Sequence, residues 1–153
     1  MDRLEKTQSY FTRLIPSIRN KSYSERLKAL NISSIQRRYD RYRILYVRKI
    51  LKGLVPNPGI NIRRTGDLRG GLSLEVPKKK SDSKLRLNSF IIRGPAIYNC
   101  LPANLRLLDD SMETYKNYLD LFLTQIPDIP RIDGGDSNEL EERLKRWTWS
   151  LRY

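Results

Sequence analysis

The stretch from residue 33 to residue 52 constrains the fold most, because it contains neither glycine nor proline to interrupt a helix. Residues 33–36 (SSIQ) open it with the S-x-x-Q pattern of a capping box. Gly53 follows directly and is the residue type that most often ends a helix. The stretch therefore predicts a helix of about five turns.

A helical wheel divides this long helix into two sides. One side spans roughly 80° of arc at 100° per residue and is predicted to be buried; it holds Ile35, Tyr39, Tyr42, Tyr46 and Ile50. The opposite side spans roughly 60° and carries four cations, Arg37, Arg41, Arg48 and Lys52, which we call the basic row. Such a row can follow nucleic-acid phosphates by long-range attraction and counterion release. The alternative is an ordinary solvated helix face.

Two shorter helices are predicted before the long one. The first begins near Asp2 and ends before Pro16, and its apolar side consists of Leu4, Phe11, Leu14 and Ile15. Residues 22–25 (SYSE) form an S-x-x-E capping box, which predicts a second helix that ends near Asn31. Because each apolar side needs a partner, we expect the first three helices to share a core.

Helical signals return in the second half of the chain. A helical turn is predicted from Pro95 to Asn99, and a short helix from Ala103 to Leu107. A D-x-x-E cap at Asp110 predicts a longer helix with one apolar stripe, formed by Met112, Tyr115, Leu119, Phe122, Leu123 and Ile126. Ser137 is expected to cap a last helix, whose apolar stripe consists of Leu140, Leu144, Trp147 and Leu151.

Residues 55–88 are predicted to be an extended basic loop, because glycines and prolines interrupt them repeatedly. Leu72, Leu74 and Val76 alternate with polar residues, which predicts one short strand. This strand could pair with the segment around Leu85 and Leu87 as a hairpin. The loop carries six candidate phosphate-binding cations, Arg63, Arg64, Arg69, Lys78, Lys79 and Lys80. Alternatively, the three lysines belong to an import signal or a solvated turn.

Positive charge is concentrated in the first half of the sequence. Residues 1–80 hold 20 basic and 6 acidic side chains, whereas the remainder holds 10 and 11, so the whole excess of +13 lies before residue 81. A basic face of this kind attracts polyanions, which favours nucleic-acid binding. A charge excess that merely keeps the protein soluble is the simpler alternative.

The composition excludes most of the common kinds of catalytic site. Histidine is absent and Cys100 is the only cysteine, so disulfides, Cys/His zinc sites and a histidine base are excluded. Asp109 and Asp110 could suggest a Mg²⁺ site, but their place before a helix favours capping. No long apolar run or signal peptide occurs, so we expect an intracellular protein without a membrane partner. No cofactor is expected.

The order of several short motifs resembles the C-terminal part of non-LTR retrotransposon reverse transcriptases. The similarity extends from about residue 8 to residue 130. It is carried by residues 23–30 (YSERLKAL), 34–38 (SIQRR), 49–57 (KILKGLVPN), 89–95 (SFIIRGP), 97–102 (IYNCLP), 105–106 (LR), 115–116 (YK), 119–120 (LD), 122–123 (FL) and 126–130 (IPDIP). Two positions depart from the pattern. Arg48 replaces a usual aromatic residue, and Tyr115 replaces a usual phenylalanine.

The resemblance implies a region at and beyond the polymerase thumb that holds RNA template and DNA target. Fingers, palm and the Mg²⁺-binding aspartates would lie outside this chain, as in a truncated fragment of such an element. The implied partners are RNA or DNA and the fingers and palm domains. No RNA-directed DNA polymerase activity is expected from this chain alone.

Together these patterns predict a mostly α-helical module with a small β-hairpin or extended basic loop between two helical groups. We expect a thumb-like basic segment at 1–54, the loop at 55–88, a second helical group at 89–130, and a linker with a final amphipathic helix at 131–153. The predicted function is binding of the RNA or DNA backbone by the basic row and the loop cations. The alternative is a structural module that docks on a palm domain or another protein. An enzyme is a further alternative only if Asp109 and Asp110 bind a metal.

Overall fold

The computed structural model describes residues 2–64, 72–76, 89–107, 110–128, 130 and 144. Within these residues the chain forms six helices: α1 (Asp2–Arg13), α2 (Tyr23–Ala29), α3 (Ile35–Leu51), α4 (Phe90–Asn99), α5 (Ala103–Leu107) and α6 (Met112–Thr124). The mostly helical fold class is therefore confirmed. The final helix predicted after Ser137 lies outside the described residues, apart from Leu144, which is helical and buried.

The extended segment between the two helical groups includes a small antiparallel pairing. Strand β1 (Ile62–Arg64) pairs with β2 (Leu72–Leu74), and Arg63 lies opposite Ser73. Within the described residues, β2 thus pairs with the segment before it, a pairing that the sequence analysis did not predict. The residues around Leu85 and Leu87 lie outside the described part of the chain.

Side-chain and backbone caps set the ends of α2 and α3. Ser22 and Glu25 form the predicted capping box reciprocally. Asn31 ends α2 with a φ of 51°, and Gly53 ends α3 with a φ of 70°, the left-handed conformation expected just beyond a helix. At the second end the amide of Leu54 donates to the carbonyl of Lys49 at 2.9 Å, closing the last turn.

Three predicted boundaries are corrected by the structure. The N-cap of α3 is Ser34, not Ser33, because the Ser34 hydroxyl accepts from the amide of Arg37. The N-cap of α6 is Ser111 rather than Asp110, because the Ser111 hydroxyl accepts from the amide of Thr114. Helix α4 begins five residues before Pro95, which lies inside it. Proline lacks an amide hydrogen, so sequence alone favours a helix that begins there.

The main apolar core lies between α3 and the second helical group. It contains Ile44 and Val47 of α3, and it extends to 14 further residues: Leu45, Ile50, Ile60, Leu74, Ile97, Tyr98, Leu101, Leu105, Tyr115, Leu119, Phe122, Leu123, Ile126 and Leu144. Asn99 joins β2 to this group, since its side chain both donates to and accepts from the backbone of Leu74. Helices α1 and α2 contribute none of the described members. The expectation that the first three helices share one core was therefore wrong.

Helices α1 and α2 instead meet through buried polar groups. Ser9 and Thr12 of α1 are buried and accept hydrogen bonds from the guanidinium of Arg26, which is only 2% exposed. The predicted apolar side of α1 faces solvent: Leu4, Phe11, Leu14 and Ile15 are all exposed. A buried guanidinium needs several acceptors, and the polar side of α1 provides them.

Three backbone amides and one hydroxyl at the start of α3 are satisfied by distant parts of the chain. Asp128 accepts from the backbone amide and the hydroxyl of Ser34 at 2.7 and 2.8 Å. Glu5 accepts from the amides of Ile35 and Gln36 at 3.2 and 3.1 Å. Carboxylates are favoured at the positive end of a helix dipole. The start of α3 therefore joins α1 to the segment after α6.

None of the helices in the described residues is long and apolar enough to cross a membrane.

Candidate nucleic-acid interface

Helix α3 buries largely a different side from the one its wheel predicts, although Ile50 is buried as predicted. Tyr39, Tyr42 and Tyr46, predicted to be buried, are 44%, 62% and 43% exposed. Arg37 and Arg48, predicted to face solvent, are 8% and 5% exposed. The prediction of a continuous solvent-facing basic row was therefore wrong at these two cations.

Arg37 caps the C-terminal end of α6. Its guanidinium donates to the carbonyls of Leu123, Ile126 and Pro127, each at 2.8 Å. Burial lowers the pKa of Arg37, and nearby Asp128 opposes that shift. An arginine stays charged in proteins, and cations are favoured at the negative end of a helix dipole. The position of Arg37 thus fits a structural role.

The other cations of the basic row are also engaged. Arg41 makes a bidentate pair with Asp120 of α6, with Nη2 and Oδ2 2.7 Å apart, and this hydrogen bond raises the pKa of Arg41. The guanidinium carbon of Arg48 lies 4.9 Å from the ring centroid of Tyr115. These two residues are the departures from the reverse transcriptase pattern, and they contact each other. Lys52, at the C-cap of α3, is partly exposed and also makes an interaction.

The solvent side of α3 combines cations with aromatic rings. Six residues of α3 lie within roughly 100° of the helical wheel; apart from Ile35 in the first turn they are Arg38, Tyr39, Tyr42, Tyr46 and Lys49, which we call the tyrosine face. Arg38 is exposed and Lys49 is partly exposed. Notably, this face contains no acidic side chain.

Each tyrosine of this face has a neighbour that restrains its ring. The guanidinium of Arg43 lies 4.1 Å from the ring centroid of Tyr39. That of Arg41 lies 5.8 Å from the ring of Tyr42. Tyr46 meets Phe90 edge to face, with centroids 5.1 Å apart and planes at 79°. The rings are therefore partly ordered while much of their surface stays accessible.

Arg43 is itself held by a buried carboxylate. Its guanidinium is 3.1 Å from Asp40, which is 2% exposed and also accepts from Gln36 at 2.9 Å. Burial raises the pKa of Asp40, whereas the hydrogen bonds from Gln36 and Arg43 lower it. The acid nearest to the tyrosine face in sequence is thereby withdrawn from solvent.

An open cavity of about 540 Å³ lies against the tyrosine face. Helix α3 provides most of its lining, and α4 and α6 add Phe90 and Lys116. Among the described residues the lining consists of Tyr39, Arg41, Tyr42, Arg43, Leu45, Tyr46, Lys49, Phe90 and Lys116. These residues comprise four cations, four aromatic rings and one leucine, without a carboxylate. Such a lining suits an anionic ligand with a flat, apolar part.

The surrounding surface of α1 to α3 is also strongly basic. Two of its acids, Glu5 and Asp40, are buried, at 3% and 2% exposure. Ten cations of the described residues 3–52 stay exposed or partly exposed: Arg3, Lys6, Arg13, Arg19, Lys21, Lys28, Arg38, Arg41, Lys49 and Lys52. Burying acids while leaving these cations outside strengthens the positive potential of this half.

The remaining sequence candidates fall largely outside the described residues. Arg63 and Arg64 lie in β1, whose backbone alone is described. Nothing is described for Arg69, Lys78, Lys79, Lys80 or Asp109. Asp110 precedes the cap of α6 and is partly exposed. The described residues contain no cluster of three or more His, Cys, Asp or Glu side chains suited to a metal ion.

Sequence reasoning missed the tyrosine face because tyrosine was counted as apolar. An apolar pattern on the other side of the helix indicated which side is buried. Ile44, Val47 and Leu51 fall within roughly 60° of arc beside Arg37 and Arg48. These three residues pack in or against the core.

No family model matches the sequence, and no curated protein or solved structure matches it. The resemblance to reverse transcriptases thus depends on the quoted motifs alone.

Proposed function

We propose that this chain is a non-catalytic module that binds the backbone of RNA or DNA through the tyrosine face of α3 and the cations around it. The observation that carries the proposal is which charged side chains of α1 to α3 are buried and which are exposed. Arg37 and Arg48 are buried with partners, and the acids Glu5 and Asp40 are buried as well. What remains exposed on the described surface of α1 to α3 is mostly basic, with ten exposed or partly exposed cations against the exposed acid Glu25, which favours a polyphosphate ligand.

The biological setting that we propose is the thumb and downstream region of an enzyme similar to non-LTR retrotransposon reverse transcriptases. In that setting the module would hold template or target strand beside a polymerase domain that supplies Mg²⁺ and the chemistry. The motif order in the sequence supports this setting, and the helical fold is compatible with it.

The salt dependence of binding tests the proposed surface. Changing Arg38, Lys49 and Lys116 together to glutamine should reduce the slope of log K against log salt concentration by about 2 to 3, given roughly 0.7 to 0.9 per phosphate contact. The measurement is fluorescence anisotropy with a labelled oligonucleotide over a series of salt concentrations.

A matched control removes three cations elsewhere. Arg13, Arg19 and Lys21 are exposed at the end of α1 and in the following turns, and none lines the cavity beside the tyrosine face. Changing them to glutamine alters the net charge equally but should leave most of the slope intact. Equal losses in both variants would reject a localised surface and indicate a diffuse charge effect.

A second candidate function is docking of a protein partner, and the outer side of α1 favours it. Leu4, Phe11, Ile15 and Ile32 are exposed there and line an open groove of about 470 Å³. Exposed apolar surface of this kind often marks a protein interface. If docking were the sole function, the wild-type protein would show no salt-dependent affinity for oligonucleotides.

A further inference from the structure

We infer that the cavity beside the tyrosine face takes unpaired nucleotides, with bases stacked on the tyrosine rings and phosphates beside Lys49 and Lys116. This inference rests on the proposed nucleic-acid function and names its ligand class as single-stranded RNA or DNA. It distinguishes a stacking platform from a purely electrostatic surface, which would bind duplexes as well.

The spacing of the rings suits a short run of nucleotides. Tyr39, Tyr42 and Tyr46 follow one line of α3, and Tyr39 and Tyr46 are separated by roughly 10 Å along the axis at 1.5 Å per residue. The first and third of three mutually stacked nucleotides are only about 7 Å apart at 3.4 Å per step, so three bases that reach all three rings must be separated from each other. An unpaired strand can separate its bases in this way, so one base per ring fits a single strand rather than a duplex.

The rings are also restrained before any ligand binds. Arg43 covers part of Tyr39, Arg41 lies near Tyr42, and Phe90 abuts Tyr46. Arg43 and Arg41 are fixed in turn by Asp40 and Asp120. Restrained side chains lose little conformational entropy on binding, which favours affinity.

The charges of the lining favour a nucleotide over a protein segment. Lys49 and Lys116 make no ion pair among the described residues, so their ammonium groups are available for phosphates. None of the described residues that line the cavity carries a carboxylate. Unpaired bases expose flat faces that stack on aromatic side chains without sequence preference, whereas a duplex hides them.

The test compares three forms of the full chain on strands and duplexes. Changing Tyr42 and Tyr46 to leucine keeps an apolar surface but removes two rings, and changing both to phenylalanine keeps the rings. We expect the leucine variant to lose about tenfold or more in affinity for a short oligouridylate and an oligothymidylate of equal length. Its affinity for a blunt duplex should stay within about twofold of wild type. The phenylalanine variant should resemble wild type throughout.

The outcomes separate this inference from the proposed function. If wild type binds neither strand nor duplex at low salt, the proposed function fails. If wild type binds both, and the leucine variant binds single strands as tightly as wild type, only the stacking inference is overturned. Equal losses on strand and duplex would also overturn it. Far-ultraviolet circular dichroism checks folding, and the high exposure of Tyr42 and Tyr46 predicts folded variants. Loss on only one of the two oligonucleotides would support stacking and identify RNA or DNA as the ligand.

Discussion

Replacing Arg37 with alanine is expected to lower the free energy of unfolding by about 3 to 5 kcal/mol, because a buried and partnered cation is removed. Three carbonyls, of Leu123, Ile126 and Pro127, would lose their common donor in the interior. Asp128 would also lose its cationic neighbour. Urea denaturation followed by circular dichroism measures the change.

The next residue along the chain is the matched control. Arg38 is exposed, so its replacement by alanine should change stability by no more than about 0.5 kcal/mol. Changing Arg37 to lysine should restore stability only in part, since an ammonium cannot reproduce the planar fork that meets three carbonyls. A stable Arg37→Ala protein with a reduced salt slope in oligonucleotide binding would instead support the basic row as the binding surface.

Replacing Glu5 with alanine is expected to destabilise the protein by about 2 to 4 kcal/mol, since several buried donors lose their acceptor at once. The carboxylate accepts from the hydroxyl of Tyr23 at 2.7 Å and from the amides of Ile35 and Gln36. Burial and this hydrogen bond raise the pKa of Tyr23. Loss of Glu5 should therefore free both α1 and the first turn of α3.

Amide hydrogen exchange together with urea denaturation measures this effect. The amides of Ile35 and Gln36 should exchange faster in the alanine variant, while those in the middle of α6 should change less. Glutamine at position 5 keeps one acceptor oxygen and should recover part of the stability. Lys6 is exposed and its replacement by alanine should be nearly neutral. Unchanged exchange at Ile35 and Gln36 would contradict the capping role of Glu5.

Local signals in the sequence predicted both ends of α2 and the end of α3. The serine box before α2, the left-handed Asn31 and the glycine after α3 were all identified from residue type and spacing. These signals are local because a cap satisfies amides or carbonyls within a few residues. Caps that come from afar, such as Glu5 and Asp128 on α3, have no such local pattern.

The buried sides of the helices were harder to predict. On α1 the polar residues Glu5, Ser9 and Thr12 face inward because Arg26, Tyr23 and the start of α3 offer partners. On α3 the long apolar stem of an arginine can be buried when its head finds acceptors. The acceptors for Arg37 lie 86 or more residues away. Neither wheel contains that information.

The candidate site, too, could be predicted from the sequence only in part. The concentration of positive charge in the first half of the chain was visible in the sequence, and ten cations stay at the described surface of that half. The cavity was not visible, since Phe90 and Lys116 reach Tyr46 and Lys49 only through the packing of α4 and α6 on α3. Tyrosine has an apolar ring and a polar hydroxyl, so it occurs both in cores and on binding surfaces, and only the fold shows which applies.

The proposed binding surface is tested most directly by locating the contact between the protein and a single-stranded oligonucleotide. An oligonucleotide carrying 4-thiouridine can be crosslinked to the full chain by long-wavelength light, and the labelled peptides can be identified by mass spectrometry. We expect crosslinks to the peptides that contain Tyr39, Tyr42 and Tyr46, with excess unlabelled single strand abolishing them. Crosslinks confined to residues 63–80, with none on α3, would contradict the proposed binding surface.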